Sequence, residues 1–272
     1  MTMKIGIIGA GRLGVCFALL CEQSGYDVLV SDIREDYVNS LNNKKITTNE
    51  PEVEDLLRIS KNFRATTNNR EVIENCDLIY TLVATPSNED GSYNVSSVWD
   101  VINDFSGINS KKYFVVGCTV NPGDCDKFKE KLPNNVKVLY NPEFIAQGSI
   151  ISDLKQADMV LLGVDSSEDD VVKDIKKLYE KIQTTRAIVC TMTTKSAEIT
   201  KIAVNCFLTT KISYANMLGD VLHKCGCGDE VVSVLSAVGT DTRVGSKYLR
   251  YGLGYGGPCL PRDNRAFASY AQ

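Results

Sequence analysis

The sequence predicts an α/β fold: a doubly wound parallel sheet followed by an all-helical domain with a long central helix. Three observations predict it. Short continuous apolar runs alternate with amphipathic stretches through the first two thirds of the chain. A glycine-rich turn joins the first run to the first such stretch. Beyond Thr194 the strand pattern gives way to unbroken helical periodicity. Runs that are apolar throughout, rather than at alternate positions, are expected of strands covered on both faces by crossover helices.

The elements follow in order. Lys4–Ile8 reads as a strand, Arg12–Ser24 as a helix and Asp27–Asp32 as the second strand. Glu35–Asn43 and Pro51–Ser60 read as helices, Phe63–Thr66 as a strand and Arg70–Asn75 as a short helix. Leu78–Val83 and Tyr113–Val116 read as buried strands around a helix near Val95–Phe105. A helix near Asp124–Lys131, strands Val136–Tyr140 and Met159–Val164, a helix near Glu168–Ile182 and a strand Ala187–Cys190 complete the pattern. From Lys195 to about Lys224, apolar residues at Ile199, Ile202, Ala203, Cys206, Phe207 and Ile212 keep helical spacing. A turn at Gly226–Gly228 precedes a helix over Asp229–Val238, and another helix begins near Asn264. The expected boundary lies between Cys190 and Lys195, giving residues 1–192 as one domain and 193–272 as the other.

Composition narrows the classes. Of 272 residues, 43% are hydrophobic and 24% charged, an ordinary globular balance. Thirty basic against 34 acidic side chains leave a net charge of −4, with no basic block of the kind nucleic acid requires. No apolar run approaches a membrane span or a signal-peptide core. The ten cysteines are scattered, mostly within apolar runs, so reduced thiols and a cytoplasmic location are expected. His223 with Cys225 and Cys227 lacks a second ligand pair, and no metal site is expected.

Gly9-Ala10-Gly11-Arg12-Leu13-Gly14 follows the first strand and opens the first helix. The next strand ends in Asp32, close to the ~20-residue spacing of the Rossmann dinucleotide fingerprint. Gly9 is expected to make the tight turn, Gly11 to admit the pyrophosphate and Gly14 to let helix and strand pack closely. The free N–H groups at the helix start, including those of Arg12 and Leu13, suit an anion. Asp32 suits the ribose hydroxyls and repels a 2′-phosphate, so NAD is the expected cofactor; Arg34 nearby argues towards NADP. In an open parallel sheet ligands bind at the carboxyl ends of strands. Thr85-Pro86, Thr119 and Asn141-Pro142-Glu143 occupy such ends.

In the second part, Cys259 sits in Gly254-Tyr255-Gly256-Gly257-Pro258-Cys259-Leu260-Pro261-Arg262-Asp263, where glycines allow a ligand close to the backbone. Read alone, the segment is equally a solvated turn. Lys201 and Asn205 share one face of the long helix, and a lysine beside apolar neighbours can stabilise a thiolate or an oxyanion.

Taken together these motifs resemble the UDP-glucose/GDP-mannose dehydrogenase family. The resemblance runs nearly end to end: Gly9 to Gly14, Val83-Ala84-Thr85-Pro86, Gly117-Cys118-Thr119-Val120, Asn141-Pro142-Glu143-Phe144, Lys201 to Asn205, Asp241-Thr242-Arg243-Val244-Gly245 and the Cys259 loop. It implies a two-step, NAD-dependent oxidation of a nucleotide sugar, UDP-glucose above all, through a thiohemiacetal and a thioester on Cys259. It implies that Lys201 and Asn205 stabilise the oxyanion and that Asp263 orients water or Lys201. Glu143 would then be the general acid/base, and Thr119 would position water beside the cofactor. Phe144, Ile145, Ala146 and Gln147 would line the sugar site with Tyr255, Gly256 and Gly257. Arg243 would reach substrate phosphates, of a neighbouring subunit in a homodimer paired through the long helix. Two positions depart from the family: Gln147 stands where a glutamate is common, and Gly117-Cys118 where a lysine or serine precedes the threonine. Family members are longer and carry a second Rossmann-like domain, so this chain is expected to be a short form or one part of the enzyme. Two alternatives remain at this point: an NAD-binding scaffold or regulator without catalysis, and a β-hydroxyacid or imine dehydrogenase that uses Lys201 and not Cys259.

Overall fold

In the computed structural model, which describes residues 3–165 and 170–271, the first strand pairs between two others. Strand β1 (Ile5–Ile8) is followed by helix α1 (Arg12–Gln23), β2 (Val28–Ser31), α2 (Glu35–Asn42), α3 (Val53–Ile59) and β3 (Phe63–Thr66). Then come α4 (Asn69–Asn75), β4 (Leu78–Thr81), α5 (Ser96–Asn103), β5 (Lys112–Val116), α6 (Asp124–Lys131) and β6 (Val136–Tyr140). They are followed by α7 (Ile150–Lys155), β7 (Met159–Gly163), α8 (Asp170–Ile182) and β8 (Ile188–Met192). The eight strands form one sheet in the order β3-β2-β1-β4-β5-β6-β7-β8. The order reverses between β1 and β4, which opens a crevice at their carboxyl ends.

The strands are apolar throughout because both faces are covered. Ile5, Ile7, Val28, Val30, Tyr80 and Val115 pack into one core with α1, α2, α3, α7 and α8. Their neighbours Ile8, Leu29, Ile79, Phe114 and Val116 pack into a second core with α4, α5 and α6. The expectation of a parallel sheet holds with one correction: β6 pairs with β7 antiparallel, at Tyr140 and Gly163. The intervening segment carries α7, which docks on α1, and the chain re-enters the sheet from the other end. Helix α7 was not expected, since six residues are too few for a helical period to show. The expected start of α8 at Glu168 lies outside the described residues.

The chain divides into two compact units, residues Met1–Pro86 with Tyr93–Ile199, and Ser87–Ser92 with Thr200–Gln272. The division falls within α9 (Thr194–Lys224), a helix of 31 residues. In the second unit a 3-10 turn at Gly228–Glu230 leads into α10 (Val231–Thr240), and α11 spans Leu260–Ala271. Ala215, Val231, Leu235 and Leu249 make its small core. Gly219 stands inside α9 for a packing reason: a Cβ there would lie 2.0 Å from the Tyr251 ring. Helix α11 starts four residues earlier than the sequence suggested. Pro261 is no obstacle in a first helical turn, where its missing N–H has no intrahelical partner to lose.

Candidate functional site

In the first unit the glycine turn is built as a dinucleotide cradle requires. Gly9 has φ +100°, and a Cβ there would lie 2.8 Å from the Leu82 carbonyl carbon and oxygen. The Gly9 and Ala10 N–H groups donate to the Ser31 carbonyl at 2.9 and 3.0 Å, which ties the turn to the end of β2. A Cβ on Gly14 would lie 2.0 Å from the Gly9 carbonyl oxygen, so only glycine lets α1 start this close to the turn. Gly11 is different: a Cβ there would meet nothing within 4 Å. No protein atom excludes a side chain at Gly11, and the space beside it is open to a ligand. Gly11 is the N-cap of α1 and no side chain caps it, so the first-turn N–H groups face that space. Arg12 is exposed at its edge, while the Leu13 side chain packs on the core and offers only backbone.

Asp32 follows β2 with its side chain 9% exposed. It is not alone: Arg34 Nε donates to Oδ1 at 2.8 Å, Nη2 to Oδ2 at 3.0 Å and the Arg34 backbone N–H to Oδ1 at 3.0 Å. The Arg34 guanidinium also lies 4.3 Å from the Tyr37 ring centroid. The carboxylate raises the Arg34 pKa above its usual value. The position expected to meet the ribose thus presents a paired carboxylate, a feature that Asp32 alone did not suggest.

Past β4 and β5, the buried Thr85 hydroxyl donates to the Thr119 carbonyl at 2.7 Å, joining two of the expected residues directly. Pro86 is exposed beside them. Past β6, Asn141 is buried; its Oδ1 accepts from the Tyr80 hydroxyl at 3.1 Å and lies 2.8 Å from the Tyr179 hydroxyl oxygen. The Tyr179 hydroxyl also bonds Glu143 Oε1. Burial, with Glu143 next in effect, pushes the Tyr179 phenol well above its usual range, so it stays a neutral donor. Tyr179 holds the carboxylate of the expected acid/base, and sequence reasoning missed it because it reads as one more apolar-face residue of α8.

Phe144 and Ile145 are partly buried and pack on the two different cores, whereas Ala146 and Gln147 are exposed. The loop around Gln147 is fastened on both sides. Asp153 accepts from Ala146 N at 2.8 Å and from the Ser149 hydroxyl at 2.9 Å. Glu50, 5% exposed, accepts from Gly148 N at 2.8 Å and Ile150 N at 3.3 Å.

In the second unit, Lys201 is 8% exposed, against the usual surface habit of lysine. Asn205, one turn along α9, donates to Asp263 Oδ2 at 2.6 Å. Asp263 is 1% exposed and also faces Arg262 Nε at 3.5 Å. The Cys259 carbonyl accepts from Asp263 N at 2.9 Å, so the cysteine sits at the amino end of α11 and its side chain is exposed. Tyr255, Gly256 and Gly257 are exposed in the preceding loop, with Gly257 at φ +78°. Arg243 is exposed and forked onto Asp241 at 3.0 and 2.6 Å, the same Asp-x-Arg geometry as Asp32 and Arg34. Cys225 and Cys227 are also exposed, past the other end of α9. Among the described residues no cluster of His, Cys, Asp or Glu is arranged to hold a metal ion, and no helix is long and apolar enough to cross a membrane. A surface cavity of about 410 Å³ lies at the amino ends of β1, β2 and β3, lined by Lys4, Asp27, Lys61 and Arg64, and contains none of the site residues.

The sheet order, the glycine cradle and the carboxylate after β2 define a dinucleotide-binding protein of the Rossmann class. The family described as "UDP-glucose/GDP-mannose dehydrogenase family, NAD binding domain" matches residues 3–183, and that family's central domain matches residues 195–272. The chain belongs to the UDP-glucose/GDP-mannose dehydrogenase family, and its cofactor is NAD. It is 30% identical over 268 residues to UDP-glucose 6-dehydrogenase of Rickettsia conorii, covering 96% of this chain and 61% of the relative. It is 30% identical over 277 residues to a putative UDP-glucose 6-dehydrogenase of Bacillus subtilis, covering 99% and 64%. A solved UDP-glucose dehydrogenase from Pyrobaculum islandicum superposes with a TM-score of 0.90 at 26% identity, over 100% of this chain and 64% of that one. A Mycobacterium tuberculosis 3-hydroxyisobutyrate dehydrogenase shares the fold at a TM-score of 0.67 and 14% identity. The chain spans less than two thirds of the length of the Rickettsia conorii, Bacillus subtilis and Pyrobaculum islandicum proteins.

Proposed function

We propose that the chain oxidises a nucleotide sugar, UDP-glucose first among candidates, to the uronic acid in two NAD-dependent steps through Cys259. The observation that carries this is the second unit's arrangement. A cysteine is exposed at the amino end of a helix, a buried lysine and an amide-bound buried aspartate lie within the same unit, and the family match covers them. Bound NAD supplies the two-electron acceptor for each step. The protein supplies the rest. The Cys259 sulfur adds to the aldehyde formed in the first oxidation, giving a thiohemiacetal. Its oxidation gives a thioester, and water then cleaves the C–S bond, releasing the carboxylate and the thiol. Lys201 and Asn205 stabilise the oxyanion, with Asp263 setting the Asn205 amide. Glu143 exchanges the proton of alcohol or water, held by Tyr179, and Thr119 positions water near the cofactor. Phe144, Ile145, Ala146, Tyr255, Gly256 and Gly257 are assigned to the sugar, and Arg243 to the nucleotide phosphates.

The chain is assigned to a homodimer through α9. Exposed Phe207, Tyr214, Met217 and Val221 recur at heptad-like spacing along that helix, an apolar stripe of the kind helices use to pair. We further assign it to the cytoplasm, supported by the free cysteines.

The test is incubation of the chain with UDP-glucose and NAD, following NADH and uronate together. Appearance of both is the expected result. Binding of NAD in calorimetry with neither binding nor turnover of UDP-sugars would replace this reading with an NAD-binding scaffold. A C259A variant with an unaltered rate would replace it with a β-hydroxyacid or imine dehydrogenase that does not use the cysteine.

A further inference from the structure

Arg12 and Gln147 are far apart in sequence, yet the Arg12 guanidinium donates to the Gln147 side-chain carbonyl at 3.0 Å. Arg12 is the first residue of α1, immediately after the open space at Gly11. Gln147 belongs to the loop after β6. The two backbone N–H groups flanking it, those of Ala146 and Gly148, are held by Asp153 and Glu50 at 2.8 Å each. Gly148 takes φ +93°, a conformation that turns the chain sharply just past Gln147. Two carboxylates, one of them on a buried glutamate from a separate loop, are thus committed to fixing the backbone on either side of one exposed amide.

The chemistry of that amide is informative. A glutamine oxygen accepts a guanidinium hydrogen bond without cancelling its charge, whereas a carboxylate would form an ion pair. Arginine is long and rotamer-rich, and holding it in one place costs entropy that a fixed acceptor offsets. The cofactor that occupies this turn carries a pyrophosphate with two negative charges, already drawn to the uncapped helix start.

We propose that Gln147 is a positioning residue for the dinucleotide, holding the Arg12 guanidinium beside the Gly9–Gly14 turn so that a full positive charge faces the pyrophosphate. The inference rests on the NAD assignment and goes beyond it. Replacing the amide by a carboxylate turns the same contact into a neutral pair, so Q147E costs more binding than Q147A does.

The test is calorimetry of the 272-residue chain with NAD, and with adenosine as the phosphate-free probe, for the unaltered protein, Q147A, Q147E, R12A and R12A/Q147A. The expected result is NAD binding weakened about threefold in Q147A and about tenfold in Q147E and R12A, on the scale of one charge near a helix terminus. Adenosine affinity stays level, and Q147A adds nothing once Arg12 is gone. Added salt narrows the gap between the unaltered protein and R12A. Thermal melting of each variant separates a folding defect from a binding one, and the double variant decides in either case, because a merely structural Gln147 would add its cost to that of R12A. If the unaltered chain binds NAD and Q147E matches it within twofold, or if Q147A and R12A are additive, the proposal is overturned. If the unaltered chain fails to bind NAD, the cofactor assignment itself fails, and this proposal with it.

Discussion

Asn205 on α9 donates its side-chain amide to the Asp263 carboxylate on α11 at 2.6 Å, and Asp263 is 1% exposed. A carboxylate removed from water to this extent is stable only while its partners stay in place. Asp263 therefore supports the packing of α11 on α9 as well as any chemistry. D263A leaves Asn205 and Arg262 facing an empty position and is expected to cost about 3 kcal/mol of stability, measured by urea unfolding. D263N keeps the shape and one acceptor oxygen and is expected to cost less than half of that. Equal losses for the two variants would show that volume, not the hydrogen bonds, holds the helices together.

Two glycines of the turn, Gly14 and Gly11, separate folding from binding. G14A sets a methyl group 2.0 Å from the Gly9 carbonyl oxygen, so α1 must shift, at about 1–3 kcal/mol. G11A meets no protein atom within 4 Å and is expected to melt with the unaltered protein while losing most of its NAD affinity, because the methyl group enters the ligand's space. A G11A variant that binds NAD normally would remove Gly11 from the cofactor contacts.

Much of this first unit was legible in the sequence for a local reason. A strand, a tight turn and a helix start are short-range features, and the glycines, Asp32 and the apolar runs each report on their own neighbourhood. What escaped depends on residues distant in the chain. The antiparallel β6–β7 pair leaves no local mark, and the docking of six-residue α7 depends on α1. Tyr179 meets Glu143, and Glu50 meets Gly148, only once the fold is formed. The start of α11 was misplaced for a different reason: Pro261 reads as a breaker unless it falls in a first turn, which is where it lies. In the second unit helical spacing paired Asn205 with Lys201 and the family resemblance implied the role of Asp263, but the hydrogen bond between Asn205 and Asp263 forms only in the folded chain.

The Asp32–Arg34 fork bears on cofactor choice. Both carboxylate oxygens accept from Arg34, which blunts the negative charge that would repel a 2′-phosphate. R34A frees that charge. The expected outcome is NAD affinity within about threefold of the unaltered chain and NADP affinity lowered about tenfold, compared by calorimetry. A rise in NADP affinity in R34A would contradict the account.

Glu198, at the start of α9, is fully buried, and its carboxylate accepts from Gly123 N at 2.5 Å and Cys125 N at 2.8 Å, at the amino end of α6. Burial outweighs these bonds and raises its pKa from the ordinary 4.5. The folded state then holds a proton that the unfolded chain gives up. This contribution to stability is fully present below the unfolded pKa and is lost as pH rises through the raised folded value. Urea unfolding at about pH 5 and about pH 7.5 should therefore show a decline that E198Q flattens. An identical pH slope in E198Q would mean that other groups carry it.

The most direct measurement of the central claim, that one carbon is oxidised twice, the second time while held on Cys259, is the NADH yield per UDP-glucose consumed at completion. The account predicts about two NADH per sugar, with uronic acid as product. It also predicts that C259S stalls near one, because an alkoxide forms less readily than a thiolate and the aldehyde accumulates. One NADH per sugar from the unaltered chain, or two from C259S at an undiminished rate, would contradict it.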